Sequence, residues 1–590
     1  AAVRALVGGF DEGMLGVRAR RARVEAARQA GDLARARSLA NDARGWARTD
    51  ATRSEFLLLA GRLAMAMGDT AAARDAFRTV IDRNPGGAHS RRSAELLRAG
   101  QPTPEDHLAL ARVQAAQGLH EEALPHFREW LDADVGSARQ RDEVRLDYAT
   151  ALFYAERYRQ AVRALEPVAD RTAARFLMAR AEAHRGRTEE AVRIYLRLAR
   201  DRAGSATGSN ALLLAAGTLH DAGEAERARE LYRELVRAYP GSGTMGLAMM
   251  RLAGMAFEEG DYDRAARRWD EYRRRYPRGD RALQATYWAA RARTEAGDSA
   301  GAVPLFRQVL ERDRDSYYAL LASRRLDQPF WPLPMEASPA ASPEARRRVD
   351  GWMRELDLLR TAGFAEAADA LADQLVDTVG GDPATRYALA EALADRGYSQ
   401  GAIRIGITLQ GSGPPNRRLL QILYPFPYRT LVSEESRDRG LDPFLTAALI
   451  RQESMFERRI TSPAGARGLM QVMPATGRLL AEAAGIDRWD AELLYQPEIN
   501  VHLGTRYVAQ QMDEYDGSLP AVFSAYNAGP HRVERWSGFA EFGREELFTE
   551  RIPFAETRGY VKILTRNRAL YSGLYAGEAD PGPRAAALPE

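Results

Sequence analysis

Residues 1 to about 410 repeat one pattern of apolar and polar positions. A segment rich in Ala and Leu runs to a turn that contains Gly, and an Ala follows five residues after that Gly. The pattern predicts pairs of antiparallel helices, in which Gly ends the first helix in the left-handed conformation and the small Ala lets the second helix approach closely. The Gly/Ala pairs are Gly31/Ala36, Gly68/Ala73, Gly118/Ala123, Gly186/Ala191, Gly223/Ala228, Gly260/Ala265, Gly297/Ala302, Gly363/Ala368 and Gly397/Ala402, with Glu156/Ala161 as a variant that lacks the glycine.

Helix pairs of this kind bury their apolar faces only against neighbouring pairs, so we expect them to stack into a solenoid. Three consecutive spacings between Gly186 and Gly297 are 37 residues, close to the length of a two-helix repeat. Proline stops the second helix of a pair at Pro85, Pro240 and Pro277. The array resembles the tetratricopeptide family in a loose form.

Two short motifs inside the array match signatures of enzymes. Residues 297–301 (GDSAG) fit the G-x-S-x-G nucleophile elbow, and residues 241–246 (GSGTMG) fit the G-x-G-x-x-G dinucleotide fingerprint. Both signatures require a preceding strand, whereas the first lies in a repeat turn and the second follows a helical segment ending at Tyr239-Pro240. We therefore interpret both as connections between helices.

Breaks in the pattern suggest the domain boundaries. The stretch 327–343 is rich in proline, the segment 411–416 reads GSGPPN, and the chain after residue 577 is rich in Pro, Gly and Ala. The sequence thus predicts an all-α protein with four parts. They are a helical-repeat solenoid at 1–343, a helical linker domain at 344–425, a C-terminal domain at 426–576 and a flexible tail at 577–590.

A candidate acid lies on an apolar helix face in the C-terminal part. Asp442-Pro443 is typical of a helix start, with Asp as the N-cap and Pro in the first turn. The positions that share one face of this helix are Thr446, Leu449, Ile450 and Glu453. Burial of this face and the negative end of the helix dipole are both expected to raise the pKa of Glu453, which suits a general acid. The alternative is a structural glutamate at the helix end that is either capped or paired with Arg451 or Arg458.

Four blocks follow one another in the C-terminal part: Glu453-Ser454, Gly468-Leu469-Met470-Gln471 with Met473-Pro474, AYNAG at 525–529, and IPFAETRGYV at 552–561. Together they resemble the lytic transglycosylase family, of the soluble type with a goose-lysozyme-like catalytic domain, which implies a lysozyme-like domain at 426–576. The resemblance spans about residues 426–575. The segment Gln496–Asn500 also fits the family.

The resemblance implies roles for individual residues. Glu453 matches the single catalytic acid and base, Tyr526 the tyrosine whose hydroxyl lies near it, and Arg558 a residue that helps to hold the last block. The positions implied to contact substrate are Ser462, Gln471, Met473, Tyr526, Asn527, Glu556 and Tyr560. For Met473 and Tyr560 core packing is the alternative, and Glu556 with Arg558 has the alternative of a structural ion pair.

The implied reaction needs only one carboxyl group, and the sequence offers no second acid in a comparable position beside Glu453. Glu457 lies one helical turn further on. Ordinary glycosidases use two carboxyl groups. In the family, cleavage of the β-1,4 bond between N-acetylmuramic acid and N-acetylglucosamine in peptidoglycan yields 1,6-anhydromuramyl products. A lysozyme-type hydrolase and a catalytically inactive, peptidoglycan-binding repeat scaffold remain as alternatives.

Composition narrows the other possibilities. The chain has 590 residues, no Cys and no run of 18 apolar residues, which argues against disulfides and a transmembrane span. Of its 84 basic residues only Lys562 is a lysine, and the arginines alternate with acids as on a solvated surface, so we expect no nucleic acid partner. With His502 and His531 as the only histidines of the C-terminal block, we expect no metal and no cofactor.

The N-terminal residues do not indicate where the protein is located, so its location and partners are inferred from the resemblance. The opening AAVRALVGGF contains neither Met nor a signal-like apolar core, so we expect either a processed N-terminus or an artificial chain start, and secretion cannot be read from it directly. The family resemblance implies a periplasmic enzyme that acts on peptidoglycan glycan strands, and the helical repeats are an expected surface for cell-wall protein partners.

Overall fold

The computed structural model describes residues 14–330, 342–410, 416–462 and 464–577. Most of the predicted Pro-rich break, nearly all of the second break and the predicted tail after Gly577 lie outside these ranges. The described residues fall into two compact units, which divide after Met245.

The first unit consists of helices joined by short turns. They are α1 (Met14–Gln29), α2 (Leu33–Trp46), α3 (Asp50–Ala66), α4 (Thr70–Arg83), α5 (Ala88–Arg98), α6 (Pro104–Ala116), α7 (His120–Asp132), α8 (Ala138–Tyr154), α9 (Tyr158–Leu165), α10 (Thr172–His184), α11 (Thr188–Asp201), α12 (Ala206–Asp221) and α13 (Ala225–Ala238). A 3₁₀ turn at Glu166–Val168 follows α9.

The division between the units falls in the first turn of the next helix, and the second unit continues with further repeats before the C-terminal part. Its helices are α14 (Gly243–Glu258), α15 (Tyr262–Arg275), α16 (Ala282–Glu295), α17 (Ser299–Arg312), α18 (Tyr317–Arg325), α19 (Pro343–Thr361), α20 (Ala365–Thr378), α21 (Pro383–Ala394), α22 (Ser399–Leu409), α23 (Arg417–Leu423), α24 (Arg429–Arg437), α25 (Pro443–Glu453), α26 (Pro474–Ala483), α27 (Pro497–Glu514), α28 (Leu519–Ala528), α29 (Pro530–Trp536), α30 (Glu545–Arg551) and α31 (Ala555–Tyr575). A 3₁₀ turn at Ala491–Tyr495 precedes α27.

The predicted all-α class is confirmed, because helices are the regular elements of the described residues and only isolated β-bridges occur beside them. None of the helices in the described ranges is both long and apolar enough to cross a bilayer.

The predicted repeat turn is present throughout. Every repeat glycine has a φ between +73° and +85°, the left-handed conformation that ends a helix at low cost for glycine. Every alanine five residues later is at most 2% exposed, including Ala161 of the variant turn. Glu156 takes the glycine's place there with a φ of +59°. The helix pairs are therefore closed by the same turn and the same small contact along the array.

Replacing Glu156 with glycine is expected to stabilise the repeat array by about 0.5 kcal/mol. A side chain in the left-handed conformation costs about 1–2 kcal/mol, of which the greater flexibility of glycine in the unfolded chain cancels a part. Gly186→Ala, at the same place in the next repeat and with open space around the added methyl group, should instead destabilise by about 1 kcal/mol. Chemical unfolding of both variants tests this, and changes of the same sign would contradict it.

The C-terminal half of the second unit shares one hydrophobic core. Buried side chains from Ala345 of α19 to Tyr575 of α31 belong to a single cluster. The longest C-terminal helix, α31, packs against α25 and α28 and contributes buried residues along its whole length. The boundary predicted at residue 425 thus has one continuous core on both sides, and the domain limits remain predictions.

Candidate active site

The helix that carries Glu453 begins as the sequence predicts. The side chain of Asp442 accepts a hydrogen bond from the Phe444 amide at 2.9 Å, and Pro443 occupies the first turn of α25. Thr446 and Ile450 of the predicted inner face are fully buried. Glu453 is the last residue of the helix, so the core positions of α25 fix where its carboxyl group lies.

A tight turn follows Glu453 and is held by buried contacts. The Ser454 hydroxyl accepts a hydrogen bond from the Phe456 amide at 3.1 Å, and Met455 and Phe456 have φ values of +51° and +64°. Such conformations are unfavourable for side chains of this size. Phe456 is only 1% exposed, and the burial of its side chain offsets the cost of this backbone conformation.

Glu453 is half-buried, and its hydrogen-bond partner is a tyrosine. The buried Tyr560 of α31 donates its hydroxyl to Oε1 of Glu453. Burial raises the pKa of Glu453 to about 7, and the hydrogen bond from Tyr560 opposes this rise. A carboxyl group with this pKa is protonated in a large fraction of molecules near neutral pH.

The alternative of a salt-bridged glutamate is wrong. The Arg451 guanidinium donates to the carbonyl of Leu423 at 2.8 Å. Neither Arg451 nor Arg458 forms an ion pair with Glu453 among the described residues. Glu457, the nearest other acid in the sequence, accepts a hydrogen bond from the Arg459 amide at 3.1 Å and closes its own turn. In the part of the chain that the structure describes, Glu453 thus has no charged partner.

A wall of irregular backbone follows, centred on Gly468 and Asn500. The fully buried Asn500 accepts from the Met470 amide at 2.7 Å and donates to the carbonyls of Arg467 and Leu494 at 2.9 and 2.8 Å. No role is predicted for Asn500 from the sequence, although this residue lies in the segment Gln496–Asn500 that fits the family. Gly468, with a φ of +75°, lies so close that a methyl group there would come within 2.0 Å of the Leu494 carbonyl oxygen.

Tyr526 connects this wall to the environment of Glu453. Its hydroxyl donates to the Met470 carbonyl at 2.6 Å, not to the glutamate. Its pKa is raised well above the ordinary value by burial first and then by the nearby charges of Glu453 and Tyr507. The structure therefore brings Tyr526, Tyr560 and Glu453 together, with Tyr560 as the direct partner of the carboxyl group.

The other predicted substrate contacts lie at the ends of their elements. Ser462 closes the loop before the wall by accepting from the Ala466 amide at 3.0 Å, and Gln471 donates to the Gly468 carbonyl at 2.8 Å. Met473, the N-cap residue of α26, is 39% exposed. Asn527 is exposed at the end of α28, and its side-chain oxygen accepts from Thr557 of α31 at 2.7 Å. These side chains remain predictions for substrate binding.

The last block gives a mixed result for its charged residues. Glu556 is exposed in the first turn of α31, and the described residues include no ion pair between it and Arg558. Arg558 instead donates to the Ile552 carbonyl at 2.6 Å and so holds the turn before α31. The structural ion pair considered from the sequence does not form.

Among the described residues, no cluster of three metal-binding side chains includes any predicted site residue. His502 lies between Glu435, at 3.1 Å, and the Arg439 guanidinium, at 3.0 Å. A metal ion at this ring would have to displace the guanidinium.

A cavity of about 480 Å³ lies elsewhere in the second unit and is lined by none of the predicted site residues. Two of its acidic groups already have partners. Asp442 caps α25 and pairs with Arg568 at 2.6 Å, and Glu546 pairs with Arg325 and Arg291. We therefore take the surroundings of Glu453, and not this cavity, as the candidate active site.

Two family profiles match the chain. The Transglycosylase SLT domain matches residues 430–548, and the tetratricopeptide repeat matches residues 58–138, 146–207, 186–243 and 251–319. Among curated relatives, the soluble lytic murein transglycosylase of Salmonella typhimurium is 28% identical over 291 residues, and that of Escherichia coli K12 is 27% identical over 294. Each alignment covers 48% of this chain and 43% of the relative, so the chain spans less than half the length of these relatives.

Solved structures with the same fold cover nearly the whole chain. An inactive mutant of the lytic transglycosylase Slt from Pseudomonas aeruginosa aligns with a TM-score of 0.58 and 21% identity, over 97% of this chain and 88% of that one. The 70 kDa soluble lytic transglycosylase from Escherichia coli aligns with a TM-score of 0.56 and 18% identity, over 96% of this chain and 98% of that one. The chain therefore carries a transglycosylase SLT domain behind tetratricopeptide repeats and has the fold of the soluble lytic transglycosylases.

Proposed function

We propose that the protein is a peptidoglycan lytic transglycosylase. It cleaves the β-1,4 bond between N-acetylmuramic acid and N-acetylglucosamine and forms 1,6-anhydromuramyl products. One observation carries the proposal: a lone, half-buried Glu453 with a pKa of about 7 and a tyrosine hydroxyl as its hydrogen-bond partner. The matches to the SLT domain and to soluble lytic murein transglycosylases support it.

In the first step Glu453 acts as the general acid. Tyr560 donates to Oε1, so the proton is placed on Oε2, from where it passes to the bridging glycosidic oxygen. The bond between C1 of the muramyl ring and this oxygen breaks, and the N-acetylglucosamine side leaves as an alcohol. The 2-acetamido group of the substrate assists by sharing the positive charge at C1. The hydrogen bond from Tyr560 stabilises the carboxylate that remains.

In the second step the same carboxylate acts as the general base. It takes the proton of the C6 hydroxyl of the muramyl ring while O6 forms the new bond to C1. The nucleophile and the reacting carbon belong to one sugar, which gives a large advantage of proximity. Glu453 ends protonated, as it began, and no water is consumed. One group with a pKa near neutral pH can therefore serve both steps, because it gives up its proton in the first step and takes one up again in the second.

The proposed cleft comprises the residues around this carboxyl group, with Glu453 as acid and base and Tyr560 as its hydrogen-bond donor. The proposed substrate contacts are Ser462, Gln471, Met473, Tyr526, Asn527, Glu556 and Tyr560. We place the enzyme in the periplasm, on glycan strands, with the repeats as a surface for cell-wall proteins. Fractionation of the native cells tests this location.

Digestion of purified sacculi by the full chain tests the function. The expected soluble products end in 1,6-anhydromuramic acid and weigh one water less than hydrolytic ones by mass spectrometry. Products with the full mass would assign the chain to the lysozyme-type hydrolases. Binding of sacculi without any released product would support the inactive scaffold instead.

The rate should fall as pH rises through the pKa of Glu453. The first step needs the protonated carboxyl group, whose pKa is raised by burial to about 7, so kcat/KM is expected to decline tenfold per pH unit above about pH 7. An unperturbed glutamate would already lose activity above its ordinary value of 4.5. Initial rates of sacculus solubilisation between pH 5 and 9, at constant ionic strength, measure this limb. A tenfold decline per pH unit that is already present at pH 5 would contradict the role of burial.

A further inference from the structure

The chain's one lysine lies in a polar cluster that the proposed mechanism does not use. Lys562 of α31 donates to Oε2 of Glu550 at 2.8 Å and to the hydroxyl of Tyr318 at 2.7 Å. Both charged side chains are less than a fifth exposed. Every other basic side chain among the chain's 84 is an arginine.

Glu550 draws its remaining partners from the last repeats of the second unit. Gln284 and Trp288 of α16 donate to its carboxylate at 2.6 and 3.3 Å, and Tyr318 of α18 donates at 2.6 Å. We call Lys562, Glu550 and these three donors the lysine cluster. Burial opposes the charge of Glu550, but the Lys562 ammonium and the donors hold the pKa of its carboxyl group below the ordinary value. The cluster therefore joins α30 and α31 to the repeats through a satisfied buried charge.

A lysine suits this place better than an arginine. The ammonium is a compact charge with three donors on a flexible stem, whereas guanidinium is a planar fork that needs more room. The Lys562 nitrogen lies 4.9 Å from the centre of the Tyr318 ring and 5.7 Å from that of Tyr317. Carboxylate and aromatic rings thus enclose the ammonium on several sides.

The same helix presents Tyr560 to the catalytic carboxyl group. Two residues along an α-helix turn by about 200° and rise by about 3 Å, so Tyr560 and Lys562 lie on nearly opposite faces of α31. The Tyr560 face contacts Glu453, and the Lys562 face contacts Tyr318 of α18 and Glu550 of α30. Glu550 in turn is bonded to α16. A displacement of α31 toward or away from the repeats would therefore change the distance between the Tyr560 hydroxyl and Glu453.

We propose that Lys562 is a positioning residue: through Glu550 and Tyr318 it ties α31 to the last repeats and thereby holds the Tyr560 hydroxyl against Glu453. The inference rests on the proposed role of Glu453. It gives the repeats of the second unit a part in tuning the acid, besides that of a scaffold.

The test compares two substitutions that each remove one buried hydroxyl. Tyr318→Phe takes a partner from the lysine cluster, whereas Tyr571→Phe removes a hydroxyl of α31 that donates to the Pro425 carbonyl at 2.9 Å. The titratable groups that face Glu453 are Tyr560 and Tyr526. A weaker hydrogen bond from Tyr560 should raise the pKa of Glu453 further, because that bond favours the carboxylate. We expect Tyr318→Phe to move the alkaline limb of kcat/KM up by about half a pH unit, and Tyr571→Phe to leave it in place.

Two further variants separate positioning from general destabilisation. Lys562→Met should lower kcat/KM by up to about 100-fold at pH 7, the loss typical of a misplacement of about 1 Å. Tyr560→Phe should raise the limb by about one unit, and Tyr318→Phe added to it should raise the limb no further, since both act through one hydrogen bond. The proposal would be overturned if kcat/KM declined at the same pH in Tyr318→Phe and Tyr571→Phe, or if the shifts of Tyr318→Phe and Tyr560→Phe were additive. Both outcomes can be read even if Lys562→Met fails to fold.

A spectroscopic measurement tests the cluster without reference to activity. Lysine labelled with ¹³C at Cε gives the intact protein a single labelled side chain, and its signal should differ from that of free lysine and change in Tyr318→Phe. A signal that titrates like an exposed lysine and ignores Tyr318→Phe would overturn the inference. Absence of anhydro products from the unmodified chain would instead overturn the proposed function and leave this signal unchanged.

Discussion

Glu453→Gln is expected to lower the rate of glycan-strand cleavage by about 10⁴-fold. General acid and base catalysis each contribute about 10²–10⁴-fold, and here one carboxyl group supplies both. Glutamine has nearly the same size, and its carbonyl oxygen can still accept the hydrogen bond from Tyr560. It can neither protonate the leaving oxygen nor take the C6 proton. Release of anhydro products from sacculi, followed by mass spectrometry, measures the loss.

The stability of this variant separates lost chemistry from lost folding. Folding raises the pKa of Glu453 from 4.5 to about 7, so the native state binds this proton more tightly than the unfolded chain. The unmodified protein should therefore lose stability as pH rises from about 4.5 to 7, by up to about 3 kcal/mol. Glutamine carries no charge and avoids this loss, so Glu453→Gln should be the more stable protein at pH 8. Denaturant unfolding at pH 5 and pH 8 checks the sign. Full turnover by Glu453→Gln would remove the catalytic assignment.

Gly468→Ala should destabilise the C-terminal part of the protein by about 4 kcal/mol. The φ of +75° costs alanine about 1–2 kcal/mol, and the added methyl group would come within 2.0 Å of the Leu494 oxygen and 2.4 Å of the Asn500 amide nitrogen. To avoid these contacts, Leu494 or Asn500 would have to move, and either movement breaks the hydrogen bond between them that holds the wall beside Glu453. The temperature of thermal unfolding and the rate of sacculus digestion should both fall.

Gly465→Ala, three residues earlier, is the matched control. Gly465 has a φ of +91°, and an added methyl group there would meet nothing within 4 Å. This substitution should cost about 1 kcal/mol and leave activity almost unchanged. Equal losses in the two variants would show that backbone strain alone accounts for Gly468, and that its contact with Asn500 matters little.

The repeats could be predicted because their signal is local. A glycine and an alanine five residues apart determine one turn and one close contact, whatever lies further along the chain, and the left-handed φ of Gly186 and the buried Ala191 follow from that pattern. The same holds for α25, whose start at Asp442 and buried face could be read from spacing alone. The direction of the pKa shift of Glu453 then follows from that buried face.

The partners of Glu453 could not be predicted in the same way. Periodicity indicates which face of a helix is buried but not which neighbouring helix packs against that face. The tyrosine bonded to Glu453 lies 107 residues further along the chain, and core packing was an equal explanation for it. Lys562 and Tyr318 are 244 residues apart, and no local pattern marks either one. Contacts of this range depend on the packing of whole helices, which a single sequence does not display.

The single lysine also allows local unfolding of the C-terminal helix to be measured by proteolysis. A protease that cuts only after lysine has one site in all 590 residues, directly after Lys562. That bond lies within α31, so it is shielded while the helix is formed and packed. The rate of this one cut under native conditions therefore measures how often the C-terminal helix separates from its neighbours. The rate at which the band of the intact chain disappears from a gel would therefore report the local stability of the C-terminal helix.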